Sequence, residues 1–173
     1  IAVPVPNGVY CKEAYIGRAV MDADVFISLS HFKGHEVAGY GGAIKNIGMG
    51  CGSRAGKMIQ HSGGMPSVHE DKCRGCMKCA KECGSNAISY DAHRKMHIDP
   101  TLCKGCGRCI GACNFDAIEL TDWYDEGMLG RRMAEYAAAV CAGRPPFHIS
   151  LIVDVSPNCD CHAENDAPIL TNI

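Results

Sequence analysis

Apolar residues follow two kinds of pattern along the chain. The run Asp24-Val-Phe-Ile-Ser-Leu-Ser30 predicts a short buried strand, and the β-branched run from His148 to Val155 predicts a central strand. Between these runs, apolar side chains recur at helical spacing at Met128, Leu129, Met133, Tyr136, Ala137 and Val140. We expect this helix to follow a cap at Asp122 and to end at Gly143.

A glycine-rich segment, His31 to Gly56, follows the first predicted strand. Glycine at this density suits tight turns and the close approach of the backbone to a ligand. The order of strand, glycine-rich loop, helix and strand predicts an α/β core. With the cysteine-rich segment counted, the expected class of the whole chain is α+β.

The composition narrows the classes of function. Of the 173 residues, 47% are hydrophobic and 21% are charged, so the chain has enough apolar side chains for a packed core. The 17 Lys and Arg residues nearly balance 19 Asp and Glu residues, which argues against a nucleic-acid or anionic-membrane partner. No apolar stretch approaches the roughly 18 residues of a membrane span.

Cysteine is the unusual component, and it divides the chain. Eight of the 13 cysteines lie within residues 71–122. We therefore expect a cysteine-rich module at 71–122 to be inserted between two parts of the α/β core, 1–70 and 123–173. Because the chain begins at Ile1 and stops soon after an apolar run begins, we also expect a fragment whose last part is truncated.

The module contains an internal repeat. Cys73-Arg-Gly-Cys-Met-Lys-Cys-Ala-Lys-Glu-Cys83 and Cys103-Lys-Gly-Cys-Gly-Arg-Cys-Ile-Gly-Ala-Cys113 both have the spacing C-x2-C-x2-C-x3-C. Three closely spaced thiolates can hold one face of an iron–sulfur cube, while the fourth cysteine points toward the other cluster. The predicted ligands of the first [4Fe–4S] cluster are Cys73, Cys76, Cys79 and Cys113. Those of the second are Cys103, Cys106, Cys109 and Cys83.

This repeat resembles the bacterial two-cluster ferredoxin domain over residues 71–122. The proline that usually follows the fourth cysteine is replaced here by Gly84 and Asn114, which puts the reduction potential in doubt but not the ligation. Zinc is the less favoured alternative because its sites normally use separated cysteine pairs. Structural disulfides are disfavoured because cluster thiolates suit a reducing compartment, which predicts a cytoplasmic location.

The segments outside the module carry a second resemblance. The stretches His31 to Gly50, Cys51 to Lys57 and Asn158 to His162 resemble the iron–sulfur protein family named domain of unknown function 362. With the inserted repeat, this resemblance covers nearly the whole chain. It implies an architecture and no particular reaction.

Two further sites are candidates on the residues alone. The glycine-rich loop, with Lys33, Lys45, Arg54 and Lys57, has the parts of a small-anion site, and the alternative is a glycine-rich turn packed on the core. Thiolate and imidazole side chains of the kind that bind zinc or iron also occur near both ends of the core. This possible third metal site comprises His31, His35, Cys159, Cys161 and His162; an unmetallated polar or catalytic cluster is the alternative.

The sequence therefore predicts electron transfer through two [4Fe–4S] clusters, to a redox partner protein or to an internal redox site. One alternative is a redox enzyme that acts on a small anionic substrate at the glycine-rich loop. The other is a scaffold whose clusters are structural or oxygen-sensing. The sequence shows no recognisable acid/base pair and no nucleophile triad. Enzymatic activity therefore stays an alternative and not the prediction.

Overall fold

The computed structural model describes residues 1–62, 65–120, 127–159 and 166–171. The chain divides into two compact units, the first comprising Ile1–Gly56 and Glu126–Ile173 and the second Lys57–Asp125. Helices account for 27% and strands for 25% of the residues, which confirms the predicted mixture of helices and strands. None of the helices in the described ranges is long and apolar enough to cross a membrane.

Three strand pairs belong to the described part of the first unit. Strands β1 (Ala2–Pro4) and β2 (Glu13–Tyr15) pair antiparallel, as do β4 (Lys33–His35) and β5 (Gly39–Gly41). Strands β3 (Phe26–His31) and β10 (Pro146–Leu151) pair parallel, with Ser28 opposite His148 and Ser30 opposite Ser150.

The helices of the first unit are α1 (Arg18–Met21), α2 (Ala43–Gly50) and α6 (Met128–Cys141), and helix α3 (Arg54–His61) crosses the boundary between the units. Helices α2 and α6 pack directly on each other. Gly48 permits this close approach, because a Cβ at this position would collide with the carbonyl oxygen of Met133. Tyr136, which is fully buried, belongs to the core beside α2.

Helix α6 follows the predicted periodicity. Its buried residues include Leu129, Met133, Tyr136 and Val140, the positions that its spacing assigned to the core. It ends at Cys141, and Gly143 then adopts a left-handed φ of 76° that stops the helix. The predicted cap, Asp122, lies outside the described residues.

The burial predicted for the two core strands was wrong. Ser28 and Ser30 are buried, whereas Ile27 and Leu29 on the opposite face are 63% and 66% exposed. Strand β10 is exposed along its whole length and ends at Leu151, before the predicted Val155. Successive side chains of a strand point to opposite faces, and α2 covers the face that carries the serines. In the described chain, β3 and β10 form a two-stranded sheet, so β10 is not central.

The second unit is built around the cysteine repeat. Strand β6 (Pro66–Val68) pairs antiparallel with β9 (Ile118–Leu120), and β7 (Ile88–Tyr90) pairs antiparallel with β8 (Met96–Ile98). Helices α4 (Lys78–Lys81) and α5 (Arg108–Ala112) are single short turns that contact each other. Its small core is a cluster of buried residues: Cys73, Cys79, Met96, Ile98, Cys109, Ala117 and Ile118.

Candidate functional site

The two cysteine loops have the same backbone conformation. Left-handed φ angles occur at three equivalent positions of each repeat, with values between 47° and 67°. The equivalent pairs are Gly75 and Gly105, Met77 and Gly107, and Asn86 and Asp116. Glycine, asparagine and aspartate tolerate this conformation, whereas methionine does so at a steric cost. Alignment of the two repeats could have identified all three positions in the sequence.

The cysteine sulfurs accept matched hydrogen bonds from the backbone. The N–H groups of Gly75 and Gly105 each donate to the cysteine two positions earlier, over N–Sγ distances of 3.4 Å. The N–H groups of Ala87 and Ala117 donate to Cys83 and Cys113 over 3.3 and 3.4 Å. Such donors favour a negatively charged sulfur, which is the form that binds metal.

Four cysteines line one narrow pocket of the second unit. Three come from the first half of the repeat, and Cys113 comes from the second half. Cys113 and Cys76 both interact electrostatically with Cys79, whose pKa is raised first by burial and then by these neighbours. The pocket therefore gathers all the cysteines predicted for the first cluster: Cys73, Cys76, Cys79 and Cys113.

Of the other predicted set, Cys103 and Cys106 lie near Cys109. Burial, followed by the neighbouring thiols of Cys103 and Cys106, raises the pKa of Cys109 to about 12. Burial also acts to raise the pKa of Cys83, but hydrogen bonds from the Ser85 side chain and from backbone N–H groups outweigh it and lower that pKa. Cys83 thus lies in a polar setting that favours its thiolate.

No group of three or more His, Cys, Asp or Glu residues in the described ranges is arranged to hold a single metal ion. This statement covers His31, His35 and Cys159 but not Cys161 and His162, which lie outside those ranges. The predicted third metal site therefore stays a prediction.

The two histidines of that site already make contacts with the backbone. His31 Nε2 lies 2.6 Å from the carbonyl oxygen of Val153, and because a carbonyl only accepts, this nitrogen carries the proton. His35 Nδ1 accepts hydrogen bonds from the N–H groups of Val37 and Ala38, each over 3.1 Å. Metal binding through either of these nitrogens would require its hydrogen bonds to break.

The glycine-rich loop and the segment after β10 meet within the first unit. The ammonium group of Lys45 in α2 donates to the Sγ atom of Cys159 over 2.6 Å, and Cys159 is only 2% exposed. These residues are separated by 114 positions, and nothing in the local sequence of either one indicates the contact. Of the other predicted cations, Lys33 is buried, whereas Arg54 and Lys57 are exposed.

The family of the chain is decided by a comparison with protein-family models. The model described as Domain of unknown function (DUF362) matches residues 1–173. The chain belongs to the DUF362 family. The match to DUF362 includes both structural units and confirms the predicted resemblance to this family. The many cysteines of the chain are compatible with iron–sulfur binding. A search of curated proteins finds no match for this DUF362 chain.

Proposed function

We propose that this DUF362 protein binds two [4Fe–4S] clusters in a ferredoxin-like module and transfers electrons through them one at a time. The observation that carries the proposal is the pocket in which Cys113 joins the three cysteines of the other half-repeat. Each thiolate of a cubane binds a different iron atom, so its ligands surround a cavity instead of converging on one point. The cross-ligated C-x2-C-x2-C-x3-C motif requires this exchange of the fourth cysteine.

The equivalence of the two repeats supports a second cluster. Cys83 occupies the position in the first half that Cys113 occupies in the second, and both accept a hydrogen bond from the alanine four residues later. The same local geometry that presents Cys113 to the first loop would present Cys83 to the second. We assign Cys103, Cys106, Cys109 and Cys83 to this cluster. When bound, such clusters accept and release single electrons.

Two features of the chain would tune the clusters. The N–H donors to sulfur stabilise added negative charge and so favour the reduced state. Exposed cations act in the same direction, and Arg74 and Lys78 line the pocket itself. An acidic protein surface or an internal redox site would be the electron partner that this charge favours. Thiolate ligands also suit a reducing compartment, so the cytoplasm is the proposed location.

Anaerobic purification with iron and sulfide analysis tests the proposal. We expect about eight irons per chain, in two four-iron clusters, and reversible reduction by dithionite with magnetically coupled EPR signals. One or two zinc ions per chain would overturn the assignment. Clusters that resist reduction would instead support the scaffold alternative.

A set of variants tests the exchange of the fourth cysteine. Loss of one cluster removes the magnetic coupling, and the remaining spectrum identifies the surviving cluster. We expect Cys113→Ala to leave the same spectrum as Cys73→Ala, and Cys83→Ala to leave the same spectrum as Cys103→Ala. If Cys113→Ala instead matches Cys103→Ala, each half binds its own cluster. Cys141→Ser, in α6 and outside the motif, is the control and should retain the full iron content.

A further inference from the structure

A cavity of about 390 Å³ lies in the first unit. Its walls come from the segment after β3, the β4–β5 hairpin, the start of α2, and parts of α6 and β10. This volume lies within the range of about 300–1,000 Å³ that is typical of small-ligand pockets. The lining is mostly apolar and includes Phe32, Tyr40 and Met133, and the two aromatic rings lie 5.7 Å apart. The walls therefore suit a flat, apolar ligand body.

One side of the cavity is positively polarised. The first turn of α2, from Gly42 to Lys45, forms part of the lining, and no side chain among the described residues caps this end of the helix. The first backbone bond of the helix runs from the N–H of Asn46 to the carbonyl of Gly42, so the preceding N–H groups have no partner within the helix. Such a helix end favours an anion.

Lys45 adds a full positive charge to the same side of the cavity. Its ammonium group has three N–H donors, and one of them is directed to Cys159 Sγ. The two remaining donors can bind an anion. Lys45 is thus held in place by one contact while it lines the cavity.

A hydroxyl-bearing residue, Ser150 in β10, also lines the cavity and is exposed. Serine can donate or accept a hydrogen bond, so this wall can bind a polar atom of a ligand.

We propose that this cavity binds a small organic anion with an apolar or aromatic body. Its carboxylate or phosphate group lies against the first turn of α2 and Lys45, and its body contacts Phe32, Tyr40 and Met133. All these residues belong to the first unit, so the site is independent of the clusters proposed for the second unit.

Ligand-observed fluorine NMR on the full, cluster-loaded chain tests this site with two probes of similar size. 4-Fluorobenzoate carries the anionic group, and 4-fluorobenzyl alcohol lacks its charge. We expect 4-fluorobenzoate to bind at least about tenfold more tightly, since the helix end and Lys45 recognise charge. Phenyl phosphate should compete with it, which shows whether the site accepts both kinds of anion, and inorganic phosphate alone should compete weakly.

Two variants distinguish the anion subsite from the apolar walls. Lys45→Met removes the charge and keeps an unbranched side chain of similar length, so it should weaken 4-fluorobenzoate at least about tenfold while leaving the alcohol unchanged. Lys57, although predicted for the anion site, is exposed in α3 and is not part of the cavity lining, so Lys57→Met is the matched control and should change neither. Gly130→Leu should weaken both probes, because Gly130 lines the cavity and a Cβ there meets no atom within 4 Å.

Three results would overturn the inference: no binding of either probe, equal affinity for both probes, or an equal effect of Lys45→Met and Lys57→Met. Iron and sulfide contents measured on the same samples separate this outcome from failure of the cluster proposal. A chain with full clusters and no probe binding contradicts only the cavity site. A chain without clusters that binds 4-fluorobenzoate selectively contradicts only the proposed electron transfer.

Discussion

The carboxylate of Glu135 in α6 accepts a hydrogen bond of 2.6 Å from the backbone N–H of Cys11. The N–H groups of Val9 and Tyr10 donate to the same carboxylate over 2.7 and 3.0 Å. Partial burial acts to raise the pKa of Glu135, but the three backbone donors and Lys12 outweigh it and lower that pKa. A single side chain thus joins the loop after β1 to α6 and satisfies three backbone groups.

This carboxylate should make the stability of the first unit depend on pH. Because its pKa is lower in the folded chain than the reference value of 4.5, the stabilisation is present above that value and is lost as the pH falls through the folded pKa. At neutral pH we expect Glu135→Gln to lower the free energy of unfolding by about 1 kcal/mol, allowing for solvent screening. Thermal unfolding between pH 3 and 7 measures the effect. Glu13→Gln, at an exposed position in β2, is the control, and an equal loss there would contradict the prediction.

Two glycines of α2 should respond oppositely to the same substitution. Gly48→Ala places a methyl group against the carbonyl oxygen of Met133, so the helices must separate, and we expect a loss of about 1–3 kcal/mol. Gly50→Ala meets no atom within 4 Å and should be neutral or stabilise the chain by up to about 1 kcal/mol. Thermal unfolding of the two variants provides the comparison. Equal effects would show that α2 and α6 do not depend on this close contact.

The equivalent glycines of the two cysteine loops offer a second matched pair. Both have left-handed φ angles, 63° at Gly75 and 62° at Gly105, so alanine at either position costs about 1–2 kcal/mol. At Gly75 the new methyl group would also collide with the carbonyl oxygen of Arg94, whereas at Gly105 it would lie 3.7 Å from Ile59. We therefore expect Gly75→Ala to lower the melting temperature more than Gly105→Ala. A larger loss for Gly105→Ala would contradict this reasoning.

Met77 occupies the position at which the second repeat has Gly107. Its φ of 62° is unfavourable for a residue with a Cβ, so Met77→Gly should raise the free energy of unfolding by up to about 1 kcal/mol. The reverse exchange, Gly107→Met, should destabilise the chain, because its Cβ would lie 2.9 Å from the Met58 side chain as well as requiring φ near 67°. Chemical denaturation of both variants measures whether each substitution raises or lowers the free energy of unfolding. Iron analysis of the same samples should show that Met77→Gly retains the metal content of the unsubstituted chain.

Local patterns in the sequence were sufficient to predict several elements of the fold. The spacing of apolar residues located α6, and Gly143 marked its end, because a helix depends on contacts three and four residues apart and on its own caps. The repeated spacing of the cysteines likewise identified two equivalent loops, since their turns are formed within a few residues. The place of Cys113 beside the first loop followed from the repeat and not from its neighbours in sequence.

The sequence by itself determined the mixture of helices and strands, helix α6 and the two equivalent cysteine loops, because short-range geometry governs each of them. Only the tertiary structure decided which face of β3 is covered, since alternation shows that two faces differ but not which one α2 contacts. It also decided that Lys45 meets Cys159 and that a cavity lies beside them. The Lys45–Cys159 contact spans 114 positions, and the cavity is lined by both Phe32 and Ser150. Only the packing of complete elements brings such residues together.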